Sequence, residues 1–567
     1  MIRWSLRHSI VAAVACTPLA WPAGAAAQHR APPPSPAYAL ERVTVVYPDG
    51  RRETGVTIVV RGGLIENMGA GVAIPADAEV LEGDSLYVYP GLVDAQGKAA
   101  VAFPEVERGD SVRSWDAPRD LQGMLAHRRV VNYLTQTGPD GKEQRAAGLV
   151  AAGIIPSGAL AAGLGAAILY RTDVERPWEM VVNDDVGLSM AFQGAQGVYP
   201  GTLFAVIAYM RQAFEDARRD GVIREAYARN PSGLGTPGFD PDYAVLRRAM
   251  AGQLRVFFAA NGAEDIRRVF ALSDEYGIKP VIVGGHEAWR VADELVRRQI
   301  PVLIDGDFPK PDDWKPPKPD TTVADSAAAD TARAAAAPAA PEALDPAAAR
   351  EKKRLEDIWS NAGRLEAARV TFAITSGGGD GNVLEATRKS IEYGLTESAA
   401  LAAITSVPAT LLGIPQVTRL GAGTPATFVA WSGPIFEEKS EVRYVFVEGG
   451  YEKGAGGGGG GAPAVVVTGA WTITMAAGGQ EFPFEASLTM DPDGSFRGTA
   501  TSEVGSASMR GNVSGNRVHF TMSVNAGGQE FEMTGDGTVE GDRMSGSGEG
   551  PFGPFSFSGR KHPGGAR

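Results

Sequence analysis

The sequence predicts an α/β protein built from a β/α barrel with short β-strands flanking it, plus a C-terminal antiparallel β-domain. Three observations carry that prediction. Between about residues 90 and 415, strand-like and helix-like segments alternate, the pattern of parallel strands joined by crossover helices. On either side of this span, at 40–88 and 416–450, short β-patterned runs occur without intervening helices. Beyond a glycine tract, residues 465–560 show only alternating apolar and polar runs between Gly-, Asn- and Asp-rich turns.

The N-terminus reads as a signal peptide over residues 1–27. Arg3 and Arg7 precede an apolar stretch from Ile10 to Trp21, and Ala25-Ala26-Ala27 offers an A-x-A cleavage site. That places the mature chain outside the cytoplasm, periplasmic or secreted. The apolar stretch is shorter than the ~20 residues a membrane-spanning helix needs, so no stable membrane span is expected. The single cysteine, Cys16, lies inside this segment. A lipoprotein site there is the alternative, although Ala13-Val14-Ala15 lacks the usual upstream leucine. Without Cys16 the mature chain holds neither a disulfide nor a thiol nucleophile.

A chain of 567 residues has room for two or three domains. Its net charge of −13 and pI near 5.2 disfavour a nucleic-acid partner or an anionic membrane surface. Short strands are expected at Val43–Tyr47 and Thr57–Arg61. Two barrel units are legible: a strand at Leu254–Ala259 with an amphipathic helix at Ala263–Tyr276, then a strand at Pro280–Val283 with a helix at Glu287–Arg298. Pro301–Ile304 begins the next unit. In such a barrel the functional site lies at the C-terminal ends of the strands.

Residues 308–350 are rich in Pro, Ala and Asp with no apolar periodicity until Leu355, and read as a disordered insertion in a barrel loop. A lid over the barrel mouth is the alternative. Residues 451–464 form a Gly-rich linker. Beyond it, strands are expected at Phe482–Met490, Ser495–Thr501, Val518–Val524 and Phe531–Thr534, with hairpin turns at Asp493-Gly494 and Asp536-Gly537. Gly478-Gly479-Gln480-Glu481-Phe482 recurs as Gly527-Gly528-Gln529-Glu530-Phe531, which suggests two related hairpins. Gly469-Ala470-Trp471 resembles the G-x-W opening of lipocalin-like barrels. A ligand-binding barrel and a filled β-domain for docking or stability are both open readings.

The most informative stretch is Tyr89-Pro90-Gly91-Leu92-Val93-Asp94-Ala95-Gln96-Gly97-Lys98. Gly62-Gly63-Leu64-Ile65-Glu66-Asn67-Met68-Gly69 precedes it, the helix phrase from Gly394 through Pro408-Ala409 follows, and Leu420-Gly421-Ala422-Gly423 closes the series. In this order the four resemble the amidohydrolase superfamily, closest to its imidazolonepropionase-like branch, over residues 40–450. The resemblance implies a (β/α)8 TIM-like barrel hydrolase of non-peptide C–N bonds, with a flanking small composite β-sandwich made of 40–88 and 416–450. Its return strands would be Ala426–Trp431 and Val442–Val447. The family uses zinc or another divalent metal, held in part by a His-x-His phrase on the first barrel strand.

Those two positions are Gln96 and Lys98 here. The family's next strand-end histidine falls on Ala259, the histidine of its "HG" phrase on Gly284, and its final aspartate on Ser376. The aspartate of its "AD" turn falls on Thr427. A glutamine amide is a weak zinc ligand and a protonated lysine repels a divalent cation. No metal cofactor is therefore expected, and the reading is an altered or inactive family member that binds a small molecule, peptide or partner, with oligomerisation also open. The alternative is an active hydrolase with a non-standard site around Lys98, His286 and Asp305. Lys98 would serve as a Schiff-base or general-base lysine, or as a structural ion-pair partner of Asp94 or Asp305. His286 and Asp305 would form an acid–base pair, unless His286 only starts a helix. Ser376 would sit beside a Gly-rich anion nest or in a loose turn. Asp94, Gln96, Asn261 and Ser376 are the candidate binding residues, and Asp380 is the conceivable stand-in for the lost aspartate.

Overall fold

The structure, a computed structural model, describes residues 36–562 except 84, 105–111, 137–138, 173, 175, 309–345, 380, 455–464 and the turn residues 478–479, 491–494, 503–504, 515–516, 527–528 and 551–552. The signal segment, nearly all of the 308–350 insertion, residues 455–464 of the linker, Asp380 and the Asp493-Gly494 turn therefore lie outside the described residues, while residues 451–453, read as the start of the linker, belong instead to a strand, Gly450–Lys453.

The chain opens with strands β1 (Ala37–Val46), β2 (Arg52–Arg61), β3 (Leu64–Ala70), β4 (Ala78–Leu81) and β5 (Tyr87–Pro90). Next come β6 (Leu92–Asp94), the small pair β7 (Ala100–Val101) and β8 (Leu134–Gln136), β9 (Leu149–Ile154), β10 (Ala161–Leu169) and β11 (Val181–Ala191). The series continues with β12 (Arg255–Ala260), β13 (Lys279–Gly284), β14 (Val302–Asp305) and β15 (Phe372–Thr375). Strands β16 (Phe428–Trp431), β17 (Val442–Val447) and β18 (Gly450–Lys453) precede the glycine tract.

β16 returns to pair antiparallel with β5, and β17 and β18 extend from it, so the sheet runs β18-β17-β16-β5-β1-β2-β3 with β4 beside β1. The return strands form where the resemblance put them, but as one continuous sheet rather than two separate layers. It curls so that its edge strand β3 meets the segment leading into β16, an interior strand: Ala426 N–H donates to Gly63 O (2.9 Å) and Ile65 N–H to Thr424 O (2.9 Å). The inward alternation of Val43, Val45, Ile58, Val60 and Phe428 fills the curl with its own core. At the β2–β3 turn, Gly62 and Gly63 take φ of 57° and 84°, a left-handed pair that favours glycine.

The second sheet runs β15-β14-β13-β12-β11-β10-β9-β6. It departs from eight parallel strands in two ways. β10 runs antiparallel to both β9 and β11. The β9–β10 connection spans only residues 155–160, too short for the crossover a parallel neighbour needs. The ring is also not closed by a β ladder, because β6 and β15 are edge strands that do not pair. The seam is bridged instead. Val93 N–H donates to Ile404 O (2.9 Å), and the short helix Ser406–Leu411 packs against both edge strands.

The remaining strands pair in parallel through β11, β12, β13, β14 and β15. The helix Ala263–Tyr276 forms as expected, with Glu264 and Asp265 in its first turn and Gly277 at φ 73° ending it. The helix expected at Glu287–Arg298 is split into a 3-10 turn, Ala288–Val291, and a helix, Ala292–Arg298. The phrase from Gly394 gives two helices, Glu397–Ala403 and Ser406–Leu411, broken at Ile404-Thr405. The helix Pro346–Trp359 begins inside the segment read as unstructured, so that reading is corrected at 346–350.

β19 (Gly469–Ala477), β20 (Gln480–Met490), β21 (Ser495–Ser502), β22 (Gly505–Ser514), β23 (Arg517–Ala526), β24 (Gln529–Glu540), β25 (Arg543–Gly550) and β26 (Gly553–Lys561) form a closed antiparallel barrel in chain order. The interior is filled by residues such as Trp471, Phe484, Phe520, Met522, Phe555 and Phe557. Asp536-Gly537 is not a turn but lies within β24, paired with His519 and Val518. A Cβ at Gly537 would come within 2.7 Å of the Phe557 ring, and one at Gly535 within 2.6 Å of the Phe520 ring. These glycines make room for aromatic rings, which is why a turn signal sits inside a strand. The two Gly-Gly-Gln-Glu-Phe repeats fall at the β19–β20 and β23–β24 connections.

Candidate functional site

The C-terminal ends of β6 and β15 meet at Asp94. It is buried at 2% exposure, and its Oδ1 accepts the main-chain N–H of Gln96 (3.0 Å) and of Ser376 (3.2 Å). Gln96 continues the tie. Its carbonyl accepts the Ser376 hydroxyl (3.0 Å) and Gly378 N–H (2.7 Å), while its Nε2 donates to Gly377 O (3.2 Å). Asp94, Gln96 and Ser376, three of the residues chosen from sequence, are thus one hydrogen-bonded knot. Burial pushes the Asp94 carboxyl above its ordinary value and the Asp305 carboxylate pushes the same way, against hydrogen bonds from Ser376 and Gln96 that pull it down.

The knot bears on the two readings of Ser376, an anion nest or a loose turn. An anion nest at Ser376 needs free main-chain N–H groups. Ser376 N–H is given to Asp94, Gly377 N–H to Thr375 Oγ1 (3.2 Å) and Gly378 N–H to Gln96 O. The Ser376 hydroxyl donates to a carbonyl instead of being held by a base. The left-handed Gly377 and Gly378 (φ 76° and 70°) serve the close approach of the loop, since a Cβ at Gly377 would overlap the Asp305 carboxylate.

Across the mouth, β12 and β13 end at a second cluster. Gly284 has φ 94°, and a Cβ there would overlap Asn261 Oδ1. Asn261 thus fills the space that a side chain at position 284 would need. Its carbonyl accepts Glu287 N–H (2.9 Å), and Glu287 Oε2 accepts Ala263 N–H (3.0 Å), capping a helix whose own N-cap is Gly262. His286 is half-buried. Its Nε2 is buried with no hydrogen-bond partner. Burial lowers its pKa from 6.5, opposed by the nearby Asp305 carboxylate, so the imidazole is neutral at pH 7.

His286 and Asn261 line a cavity of about 440 Å3 together with Trp289, Lys353, Arg354 and Ile358. The helix Pro346–Trp359 supplies one wall. Asp305 stands between the two clusters, its Oδ1 accepting Asp307 N–H (2.9 Å). Lys98 lies on the other flank, where its carbonyl accepts the Tyr170 hydroxyl (3.0 Å) and its neighbour Gly97 N–H is bonded to Gly153 O (2.9 Å). The structure therefore gathers Asp94, Gln96 and Ser376 in one place, Asn261 and His286 in another, with Asp305 facing both.

A third constellation escaped the sequence. His127 Nδ1 lies 2.7 Å from Asp242 Oδ1, and the same oxygen accepts His127 N–H (3.0 Å). Asp242 is buried in the first turn of the helix Pro241–Met250, which Asp240 caps. Arg119 pairs with Asp240 and lies 4.4 Å over the Tyr243 ring. The two partners are 115 residues apart, so no spacing signal could have joined them. Among the described residues, no group of three or more His, Cys, Asp or Glu is placed to hold a metal ion, and no helix is long and apolar enough to cross a membrane.

No protein-family model matches the chain, and no curated protein matches it. Solved structures do. The chain is similar to an amidohydrolase from Thermotoga maritima MSB8, at 21% identity and TM-score 0.56, over 73% of this chain and 99% of that one. A β-aspartyl dipeptidase from Fervidobacterium islandicum AW-1 aligns at 13% identity and TM-score 0.40, over 74% of this chain and 97% of that one. The Thermotoga match shows that the chain has the amidohydrolase fold, the architecture the Pro90–Asp94 phrase and its companions implied.

Proposed function

We propose that this chain is an exported protein of amidohydrolase ancestry, by descent a hydrolase of non-peptide C–N bonds from the imidazolonepropionase-like branch, whose barrel mouth serves for binding rather than metal-dependent hydrolysis. The observation that carries the reading is the knot at Asp94. A divalent metal at a barrel mouth needs free carboxylates, neutral imidazoles or thiolates. Here Asp94 Oδ1 is taken by two main-chain N–H groups, and Gln96 is bound through its carbonyl and its amide. Lys98 is a cation. Position 284 admits no side chain while Asn261 occupies its space. The residues present do not fit a divalent metal, and no hydrolytic step is derived through one.

The test is elemental mass spectrometry of the purified mature protein after loading with zinc and manganese. Metal well below one equivalent supports the reading. A tightly held equivalent, removable only by strong chelation, sinks it.

A second reading keeps catalysis at Lys98, His286 and Asp305. Its support is the neutral, unpartnered His286 facing the Asp305 carboxylate, an arrangement suited to a general base. It requires Lys98→Ala and His286→Ala each to abolish turnover of an amide or lactam library with little change in melting temperature.

A further inference from the structure

We propose that the cavity walled by His286, Trp289 and the helix Pro346–Trp359 is a binding site for a small organic anion that also carries an apolar or aromatic group. The proposal rests on the reading of the mouth as a binding site and names the chemistry of what it holds.

Charge is the first argument. The cavity is lined by Arg290, Arg350, Lys353 and Arg354, against two carboxylates, Glu287 and Asp357. Both carboxylates are already engaged: Glu287 Oε2 accepts the Ala263 N–H, and Asp357 Oδ1 accepts from Arg364 at 2.7 Å. Arg290 pairs with Glu287 (3.5 Å) and Arg354 with Glu351 (2.6 Å), whereas Lys353 makes no ion pair among the described residues. A cationic enclosure on a chain of net charge −13 is a local reversal of sign, and such a reversal in a concave site concentrates anions.

Polar satisfaction is the second. His286 lines the cavity, and its Nε2 is shielded from solvent with its hydrogen bonding unsatisfied, so a small shift of the ring towards a bound acceptor would be favourable. Arg354 and His286 line the same cavity, and the Arg354 guanidinium acts on the charge of the imidazole. An anion held there would share the Arg354 guanidinium with its Glu351 partner.

Shape and surface are the third. A volume of about 440 Å3 lies within the ~300–1,000 Å3 range of small-molecule sites. Trp289 and Ile358 supply apolar lining opposite the cations. The Trp289 ring is fixed by the Arg364 guanidinium 4.2 Å from its centroid. A bare inorganic ion would leave that surface unused.

The experiment is calorimetric titration of the mature protein, dialysed against EDTA so that adventitious metal cannot hold the anion. Benzoate, phenyl phosphate and benzyl alcohol are the probes. Saturable binding of benzoate or phenyl phosphate, but not of benzyl alcohol, is the expected result, with the tighter of the two identifying carboxylate or phosphate as the preferred head group. Lys353→Ala and Arg354→Ala should each weaken the anion about five-fold, the effect of one partly solvated charge. His286→Ala should weaken it about ten-fold, and Lys353→Arg should retain binding. Lys353 is exposed, so its variants test the site without threatening the fold. Equal binding of benzyl alcohol and benzoate, no binding of either anion, or binding indifferent to all three alanine variants overturns the proposal. A stoichiometric metal in the elemental analysis would overturn the reading beneath it instead.

Discussion

Asp94 Oδ1 accepts the main-chain N–H of Ser376 at 3.2 Å, joining residues 282 apart in sequence and tying together the two edge strands of an open ring. The barrel sheet lacks a ladder at this seam, so the carboxylate does locally what interstrand hydrogen bonds do elsewhere. Removing it leaves two buried N–H groups unsatisfied. Asp94→Ala should therefore lower stability by ~1–3 kcal/mol in urea denaturation. Asp94→Asn, which keeps an acceptor at Oδ1, should cost less. Equal losses for the two would show that the tie is not what the carboxylate contributes.

The same burial sets a pH dependence. Burial raises the Asp94 pKa above its ordinary value of 3.8, so between the unfolded and folded pKa values the native state holds the extra proton. The contribution of Asp94 to stability is then greatest below the unfolded pKa and declines as pH rises through the folded one. Wild type should lose ground to Asp94→Asn as pH is raised from about 4 towards 7, by comparison of the two unfolding free energies. A gap that widens in favour of wild type with rising pH would contradict the raised pKa.

His286 has the opposite signature. Its pKa is lowered from 6.5 by burial, so the folded protein keeps it neutral while the unfolded chain takes up a proton. Its contribution is present above pH 6.5 and lost as pH falls through the folded pKa. The melting temperature of wild type should fall faster than that of His286→Gln between pH 7.5 and about 5. Parallel curves would mean that the imidazole is freely solvated.

Gly284→Ala sets a new Cβ against Asn261 Oδ1 at a φ of 94°, and should destabilise by ~1–3 kcal/mol. Asn261→Ala should recover part of that loss in the double variant, because it removes the collision but not the backbone strain. A double-mutant cycle with no coupling would show that the side chain does not occupy that space.

In the C-terminal barrel, Gly535→Ala presses a methyl group towards the Phe520 ring, 2.6 Å from the ideal Cβ position. Differential scanning calorimetry should show one transition lowered and the rest unmoved, with a cost of ~1–3 kcal/mol for overpacking. An unchanged thermogram would indicate a loosely filled interior.

Much of this fold was legible because its strands are half-buried and alternate, as in Val43–Val45 and Ile58–Val60, or because a motif fixed their place. β10 was not legible. Its sequence, Ala161–Leu169, is buried along its whole length, and a run apolar on both faces has no period to read. Gly537 misled because a turn signal and a ring-accommodating glycine look identical in one dimension. At the site, motif order placed Asp94, Gln96 and Ser376 at the mouth, yet only coordinates show that their polar groups are spent on one another. The helix wall over His286 was hidden by the Ala- and Pro-rich stretch before it. The His127–Asp242 pair is purely a product of tertiary folding.

The closure of β19 onto β26 also governs timing. As the chain is synthesised, the first barrel strand emerges more than eighty residues ahead of the strand that completes its pairing, and until then both carry open edges. The nine residues of β26 are therefore the commitment step of this domain. A chain released without them would hold a seven-stranded, open sheet with two unpaired rims, whereas the finished ring offers its neighbours none.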